Sequence, residues 1–257
     1  MAPQETSARR LEAAEAANAR GCMGTHPEAV AIDIAGGVAV FTGTESPLTH
    51  AVGLGLNGPV KPEELDRLEH FFRSRGARPA IDLCPFADPG LVEQLAMRGY
   101  RLAEFNNVLV RRMAGYELAL TPRVRRTRPD EVDLWSHTVG CGFFDASELT
   151  TEEMDVGRAI CAMPEALLFL AVTGCGKPAG GSAMAVHQGL ATLFADSTLA
   201  AFRRQGLHRE LIAARLNEAL AQGCDFATAS TLPGSISQRN YERAGFIVVY
   251  TKVTMVA

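Results

Sequence analysis

The sequence predicts an α/β (α+β) fold of two similar units, each a mixed, mostly antiparallel sheet flanked by helices. Three observations predict it: an internal repeat, helical segments with one apolar face, and apolar strand-like segments separated by Gly and Pro turns. The chain has 257 residues, of which 47% are hydrophobic and 21% charged, so it can fill a core. This length suits one large domain or two small ones.

The internal repeat relates one segment in each half of the chain. "RGARPAIDLCP" resembles "QGCDFATASTLP", and a glycine precedes a proline by nine residues in the first and by ten in the second. Each segment continues into a helix-like run that ends in a glycine and an aromatic residue, Gly99 and Tyr100 or Gly245 and Phe246. Two copies of one α/β unit are the economical interpretation, with chance similarity as the alternative because the spacings differ by one.

In the first half, a strand and a helix are predicted ahead of the repeated segment. "HAVGLGLN" has the apolar character of a strand, and "KPEELDRLEHFFRSRG" that of a helix. Pro62 stands near the first helical position and Gly76 is placed to end the helix. Leu65, Leu68 and Phe72 recur on one face, which we expect to pack on the sheet.

In the second half, "ALLFLAV", "GSAMAVHQG" and "LATLFADSTL" are apolar or alternating segments separated by Gly and Pro turns. This pattern is typical of an antiparallel meander. Residues 206–222 follow as a predicted helix, with Leu207, Leu211, Leu216 and Leu220 on one apolar stripe. The order of strands and helices therefore matches that of the first half.

The boundary between the two units is expected near "AGYELALTP", residues 114–122. This boundary predicts one domain over residues 1–115 and a second over residues 122–257. The basic segment "RVRRTR", residues 123–128, alternates like a strand with one solvated face.

Composition and charge narrow the kinds of partner. The net charge of −4 gives no reason to expect nucleic acid. No apolar run approaches the roughly 18 to 20 residues that span a bilayer, and the polar start lacks the apolar core of a signal peptide. We therefore expect no membrane partner. The six cysteines are scattered without a C-x-x-C pair, so we expect no metal, no disulfide framework and a cytoplasmic location.

A turn at the start of the second predicted helix has the character of an anion site. Arg203, Arg204 and Gly206 stand immediately before the helix, with Arg209 in its first turn. The first turn of a helix has unpaired N–H groups and the positive end of the helix dipole, and a glycine lets a ligand approach the backbone. The alternative is a surface turn with solvated arginines. Neither G-x-x-x-x-G-K-[ST] nor G-x-G-x-x-G is present at this turn.

The segment "STLAAFRRQGLHRELIAARL" resembles the coenzyme A-binding signature R/Q-x-x-G-x-G/A of the GNAT acetyltransferase superfamily. Arg203 occupies the first place and Gly206 the first glycine place. His208 stands where a second Gly or Ala is usual, and a larger side chain fits there if it points outward. "NYERAGF" resembles the closing motif of the superfamily, and the two motifs with the strand order cover about residues 123–257.

The resemblance implies that acetyl-CoA is the co-substrate. Its pyrophosphate is expected on the backbone amides of residues 204–209, and its pantetheine arm between two strands that splay apart, along the edge 197–199. Asn240 is expected near the pantetheine, with a helix-surface or capping role as the alternative. The residues that the resemblance assigns to the coenzyme are Ser197, Thr198, Leu199, Arg203, Arg204, Gln205, Gly206, Leu207, His208, Arg209 and Asn240.

Two residues are predicted to act in catalysis. The resemblance places Tyr241 as the acid that protonates the departing thiolate, although a phenol (pKa about 10) is a slightly weaker acid than a thiol (about 8.5). Asp196 is the candidate base, with pairing to a cation as the alternative. His187 is expected in a turn, and Asp145 and Glu148 are candidates for recognising a cationic acceptor.

The first half lacks the phosphate turn, and Pro62 removes one of the amides that such a turn would use. Leu95 and Met97 lie near the place of the catalytic tyrosine, and Tyr100 occupies the glycine-aromatic position. We therefore expect a degenerate copy of the GNAT-like unit that has lost coenzyme binding.

The resemblance implies an N-acetyltransferase that moves an acetyl group from acetyl-CoA to an amine of a small molecule or peptide, by direct attack in a ternary complex. A non-catalytic sensor of acyl-CoA is the alternative, and a scaffold with surface arginines is a third possibility. Tyr241 distinguishes the first two, because a sensor needs no phenol beside the thioester.

Overall fold

The structure is a computed structural model that describes residues 3–23 and 27–257. It divides into two compact units, unit 1 with Met1–Asn107 and Tyr250–Ala257, and unit 2 with Val108–Val249. Residues 1, 2 and 24–26 of the predicted first domain lie outside the described residues. The compact units differ from the predicted domains 1–115 and 122–257 in two ways: residues 108–115 group with unit 2, and Tyr250–Ala257 group with unit 1.

Unit 1 is a sheet with helices. Its elements are α1 (Pro3–Gly21), β1 (Val30–Ile34), β2 (Gly37–Phe41), β3 (His50–Val52), α2 (Pro62–Arg73), β4 (Ala80–Leu83), α3 (Pro89–Met97), residues 101–107 of β5 (Arg101–Arg112) and residues 250–256 of β11 (Ile247–Val256). Its strands run in the order β1-β2-β3-β4-β11. The β3–β4 pair is parallel, and the other three pairs are antiparallel.

The predicted helix of the first half is confirmed as α2. Pro62 stands in its first turn, and the backbone N–H of Lys61 donates to Glu64 Oε2 (3.1 Å). The predicted apolar face is buried against the sheet. The predicted strand "HAVGLGLN" is shorter than expected: only His50–Val52 form β3, because Gly53 and Gly55 turn the backbone with φ of +77° and +70°.

The end of the chain completes unit 1. Val253 pairs with Leu83 and Val256 with Ala80, in antiparallel register. Val253 and Met255 pack against the apolar core of unit 1. A repeat of whole units in sequence order would have left this segment with the second copy, so backbone pairing and apolar burial account for the difference.

Unit 2 is a mostly antiparallel sheet with four α-helices among the described residues. Its elements are residues 108–112 of β5, β6 (Val124–Arg126), α4 (Val132–Phe144), α5 (Thr151–Cys161), β7 (Leu167–Val172), β8 (Pro178–His187), β9 (Leu190–Thr198), α6 (Leu207–Ala221), β10 (Phe226–Thr231), α7 (Ile236–Arg243) and residues 247–249 of β11. The strand order is β5-β10-β9-β8-β7-β6. The predicted meander is confirmed, since β7, β8 and β9 pair antiparallel.

Two irregularities of β9 shape the centre of unit 2. Its parallel pairing with β10 covers only Leu190–Thr192 against Phe226–Thr228, although both strands continue beyond. The register against β8 shifts so that Ala195 and Asp196 together face one residue, Ser182, and Ala195 has a φ of +54°. Such a bulge re-aims the side chains that follow it.

The predicted apolar stripe of α6 is largely confirmed. Leu207, Leu211 and Leu216 are buried in the core of unit 2, whereas Leu220 is 36% exposed near the end of the helix. Arg215 is fully buried on the same helix. Within residues 3–23 and 27–257, none of the helices combines the length and apolar character needed to cross a membrane.

Candidate functional site

Unit 2 contains a cleft of about 640 Å³ where β9 ends and α6 begins. α7 contributes one side of it through Ile236, Ser237 and Asn240, and α4 contributes Gly142 and Phe143 at its C-terminal end. Nine of the eleven residues predicted for the coenzyme line this cleft, and Leu199 and Gln205 do not. The cleft lies where the parallel pairing of β9 with β10 has already stopped.

The turn before α6 has an unusual backbone. Arg204 has a φ of +63°, and Gly206 has a φ of +82° as the N-cap residue of the helix. No side chain caps the helix here, among the residues that the structure describes. The N–H groups of the first turn are therefore not satisfied by a capping side chain, and the helix dipole adds positive potential at this place.

Arg203 connects the turn to its neighbours. Its Nε donates to the carbonyl oxygen of Thr198 (3.2 Å), and its Nη2 donates to that of Gly142 (3.2 Å) and pairs with Asp145 (2.7 Å). Asp145 ends α4 with a left-handed φ of 55°. This contact engages one of the two carboxylates considered for acceptor recognition; the other, on Glu148, is exposed.

Arg123 holds the turn from the opposite side. Its Nη2 donates to the carbonyl oxygen of Gln205 (2.9 Å), and its Nε donates to Glu210 Oε1 (2.8 Å). Glu210 is the acidic residue in the first turn of α6. Pairing with Arg123 offsets its charge at the point where a bound anion would otherwise be repelled.

Behind the cleft lies a buried polar network of Asp196, Arg215 and Tyr241. Arg215 Nη1 donates to the carbonyl oxygens of Ala183 (3.1 Å) and Phe194 (3.3 Å), and Nε donates to Leu211 within its own helix (3.1 Å).

The guanidinium of Arg215 also forms an ion pair with Asp196, and its Nη2 donates to the hydroxyl of Tyr241 (3.3 Å). The hydroxyl of Tyr241 donates to Asp196 Oδ2. Each member of the network is therefore held by the other two.

The network sets the charge of its members. Burial by itself would raise the pKa of Asp196, but the charges of Arg215 and His208 outweigh it and hold that pKa well below its usual range. Burial raises the pKa of Tyr241 well above its usual value. Asp196 is therefore a carboxylate that accepts, and Tyr241 a neutral phenol that donates.

Tyr241 is 1% exposed and packs in the core of unit 2. Its ring meets Phe246 edge-on (centroids 5.0 Å apart) and His208 in the same way (5.8 Å). Tyr241 does not line the cleft, whereas its partner Asp196 does. The roles predicted for Tyr241 as acid and for Asp196 as base stay predictions.

His208 and Asn240 join the cleft wall to the buried network. The amide nitrogen of Asn240 lies 3.0 Å from His208 Nδ1, and His208 Nε2 lies 3.4 Å from Asp196 Oδ1. The His208 side chain is only 18% exposed. It therefore points inward, contrary to the outward orientation expected from the motif, because Asp196 and Asn240 offer it polar partners.

The structure also places His187, the remaining candidate, and reveals one residue that was not a candidate. His187 ends β8 at the two-residue turn of Gln188 and Gly189, which have φ of +50° and +75°, so the turn interpretation is confirmed.

Arg215 was missed by sequence reasoning. The available signal was its spacing: it lies four residues after Leu211 and four before Ala219, both buried, and so occupies a core-facing position.

The part of the chain that the structure describes brings together no group of three or more His, Cys, Asp or Glu side chains suited to a metal ion.

Comparison with known proteins identifies the fold. Neither a protein-family model nor a curated protein sequence matches the chain. Among solved structures, the chain is similar to a GCN5-related N-acetyltransferase from Kribbella flavida, at 20% identity and a TM-score of 0.68, over 96% of this chain and 95% of that one. It is similar to a GCN5-related N-acetyltransferase from Sphaerobacter thermophilus at 13% identity and a TM-score of 0.60, over 89% and 75% of the two chains.

A tandem GNAT protein from the clavulanic acid biosynthesis pathway is similar at 14% identity and a TM-score of 0.61, over 94% of this chain and 87% of that one. The chain thus has the mixed α/β fold of the GNAT acetyltransferases, and the resemblance predicted from two short motifs is confirmed at the level of the fold. At these identities the likeness defines the fold, so the activity rests on the chemistry of the cleft.

Proposed function

We propose that unit 2 binds acetyl-CoA and transfers its acetyl group to an amine of a small molecule or peptide. The observation that carries this proposal is the uncapped start of α6 at Gly206, which opens into the cleft at the end of β9. A helix start of this kind suits a pyrophosphate. Arg204 and Arg209 are exposed on its rim and supply counter-charge.

The pantetheine arm is proposed to lie along the end of β9. β9 and β10 pair only as far as Thr192 and Thr228, in the described part of the chain, and both continue beyond. An extended amide chain placed between them could pair with backbone groups as an added strand does. Ser197 and Thr198 line the cleft along this stretch.

In the proposed reaction the amine nitrogen attacks the thioester carbonyl. A C–N bond forms, the C–S bond breaks, the amine loses a proton and the departing thiolate gains one. The lowered pKa of Asp196 makes its carboxylate a weak base. We therefore propose that Asp196 positions Tyr241 and His208, and that the amine proton leaves through the open cleft to water.

Tyr241 is proposed as the acid. Its hydroxyl proton is held by Asp196, and Arg215 donates to the same oxygen. A turn of the hydroxyl about its C–O bond would redirect the proton from Asp196 toward a thiolate in the cleft. Burial raises the pKa of Tyr241, and the positive charge of Arg215 opposes that rise, because it stabilises the phenolate that remains.

A second candidate function is a sensor that binds acyl-CoA without turnover. The observation that favours it is the absence of Tyr241 from the residues that line the cleft. The two functions differ in one measurable product. An enzyme releases the thiol of coenzyme A when an amine is supplied, whereas a sensor binds the coenzyme and releases none.

The coenzyme site is tested by calorimetric titration with acetyl-CoA, coenzyme A and ATP, using Gly206→Asp. We expect micromolar binding of the first two and at least about hundredfold weaker binding by the variant, because a carboxylate at the helix start repels the pyrophosphate. Space alone does not forbid the change, since a Cβ at Gly206 would have its nearest neighbour, Arg123 Nη2, at 3.6 Å.

Gly223→Asp is the matched control. Gly223 follows the other end of α6 with a φ of +70°, so the substitution carries similar backbone strain far along the helix from the turn. Intact binding by Gly206→Asp, or equal loss in both variants, would remove the turn from the coenzyme site.

A further inference from the structure

A second cleft of about 440 Å³ lies beside the first in unit 2. Gly206, Arg209, Asn240 and Arg243 line both clefts, so the two are adjacent around the start of α6. The second cleft extends from there to residues 111–123, which precede the part of the chain that carries the GNAT motifs.

The segment before β6 is fastened to α6 and so forms a fixed wall. The hydroxyl of Tyr116 lies 3.2 Å from the carbonyl oxygen of Ala213 and 3.0 Å from Asn217 Oδ1. The backbone N–H of Ala119 donates to Asn217 Oδ1 (3.1 Å), and Asn217 Nδ2 donates to the carbonyl oxygen of Ala119 (2.9 Å). The side chain of Asn217 thus hydrogen-bonds to both backbone groups of Ala119, which holds the segment in place.

The second cleft is strongly basic. Arg111, Arg123, Arg209 and Arg243 line it, and Glu210 is the acidic residue among the described residues that do so. Glu210 pairs with Arg123, which leaves three guanidinium groups without a lining carboxylate. Concave basic surfaces of this kind attract anions.

Arg111 is held in this cleft by two packing contacts. Its guanidinium lies over the ring of Tyr116, 4.8 Å from the ring centre. A Cβ at Gly245 would collide with it, so this glycine allows the side chain to lie against the backbone. Its Nε is buried and has no hydrogen-bond partner among the described residues. A buried donor of this kind is costly unless a ligand satisfies it.

We propose that this second cleft binds a phosphomonoester, the 3′-phosphate on the ribose of coenzyme A, an assignment that rests on the proposed function. Coenzyme A carries two anionic groups, its pyrophosphate and this phosphate. The turn before α6 binds the pyrophosphate in this proposal. Because the two clefts share lining residues at that turn, a coenzyme bound there would extend into the second cleft, where Arg111 and Arg243 lie. The segment ahead of the GNAT motifs thereby selects the phosphorylated form of the coenzyme.

Calorimetric titration of the full chain with coenzyme A, 3′-dephospho-coenzyme A and inorganic phosphate tests the proposal. We expect the chain to prefer coenzyme A over the dephospho form by at least about tenfold, the usual effect of one lost charge-assisted contact. Arg111→Met should remove this preference by weakening only coenzyme A. Arg112→Met is the matched control, because Arg112 is the exposed neighbour on the same strand, and it should keep the preference.

The outcomes separate the two proposals. Equal micromolar affinity for both coenzymes would overturn the 3′-phosphate site and leave the coenzyme site standing. No binding of either would overturn both. Tight binding of inorganic phosphate with equal coenzyme affinities would assign the cleft to a free anion instead. If Arg111→Met fails to fold by circular dichroism, the exposed Arg243→Met replaces it, and a preference that survives there refutes the assignment.

Discussion

Arg215 shows how one residue can decide the roles of its neighbours. It is fully buried and donates to three carbonyl oxygens, to Asp196 and to Tyr241. A buried guanidinium needs a carboxylate beside it, because an unpaired buried charge costs several kcal/mol. Asp196 supplies that carboxylate, and the pairing holds its pKa well below its usual range, which makes it a weaker base than proton removal from an amine at neutral pH requires.

At the same scale, the proposal for Tyr241 yields a kinetic prediction. Tyr241→Phe should lower turnover roughly 100-fold, the low end for a general acid, and leave the Kd of acetyl-CoA unchanged. The measurement is steady-state release of coenzyme A thiol with a panel of amines. Tyr100→Phe is the control, because Tyr100 is a buried tyrosine of unit 1. Unchanged turnover in Tyr241→Phe would contradict the acid role.

At the scale of elements, α1, β4 and β11 bury a cluster of charges in unit 1. Lys252 on β11 pairs with Glu15 and lies 4.0 Å from Asp82 on β4. Tyr250 donates to Glu12 Oε1 (2.7 Å), and Glu12 Oε2 is buried without a partner among the described residues. Lys252 is thus the lysine for three carboxylates, of which Asp82 also has His50 at 3.8 Å, whereas Glu12 gains by holding a proton.

Burial raises the pKa of Glu12 from 4.5 to about 7, with Glu15 and Asp82 adding to the rise and Lys252 and Tyr250 opposing it. Between pH 4.5 and about 7, Glu12 therefore keeps a proton in the folded state that it has lost in the unfolded chain. The stability of unit 1 should fall as pH rises from about 4.5 to 7 and then level off. The whole change amounts to about 3 kcal/mol.

Glu12→Gln tests this pH dependence, because glutamine keeps an oxygen for Tyr250 and has no proton to lose. Urea unfolding followed at several pH values should show a flatter profile for the variant and greater stability than the wild type at pH 8. Glu63→Gln, an exposed change on α2, should leave the profile as it is. A profile with the same slope in Glu12→Gln would contradict the prediction.

At the scale of the whole molecule, the chain order and the packing order differ. Unit 1 begins the sequence and is completed by Tyr250–Ala257 at the end of the sequence. This segment brings four registered pairs to β4 and contributes Lys252 to the buried cluster. The core of unit 1 therefore depends on residues that are far from the rest of the unit in sequence.

Deletion of Tyr250–Ala257 should consequently unfold unit 1 and spare α6. Hydrogen exchange measured by mass spectrometry should show lost protection at β4 and α2, because the edge of β4 and the apolar contacts of Val253 and Met255 are exposed. Peptides from α6 serve as the internal control and should keep their protection. Retained protection at β4 would show that unit 1 folds without this segment.

Much of the fold could be predicted from the sequence because its causes are local. Pro62 and the apolar face of α2 are set by helix geometry, and Gly206 marks the turn before α6 because its φ of +82° suits glycine. The candidate cleft could be predicted for the same reason: nine of the eleven predicted residues line it, eight of them within or beside one turn and the ninth, Asn240, on α7.

The rest depended on contacts between residues far apart in sequence. The sequence by itself determined the class of fold, the order of strands and helices and the glycine turn before α6, because hydrophobic periodicity and backbone preference act over a few residues. Only the tertiary structure decided that Arg215 pairs with Asp196, that His208 points inward and that Tyr250–Ala257 group with unit 1. Burial creates these outcomes, since a charge or a strand edge removed from water takes whichever partner the fold brings near.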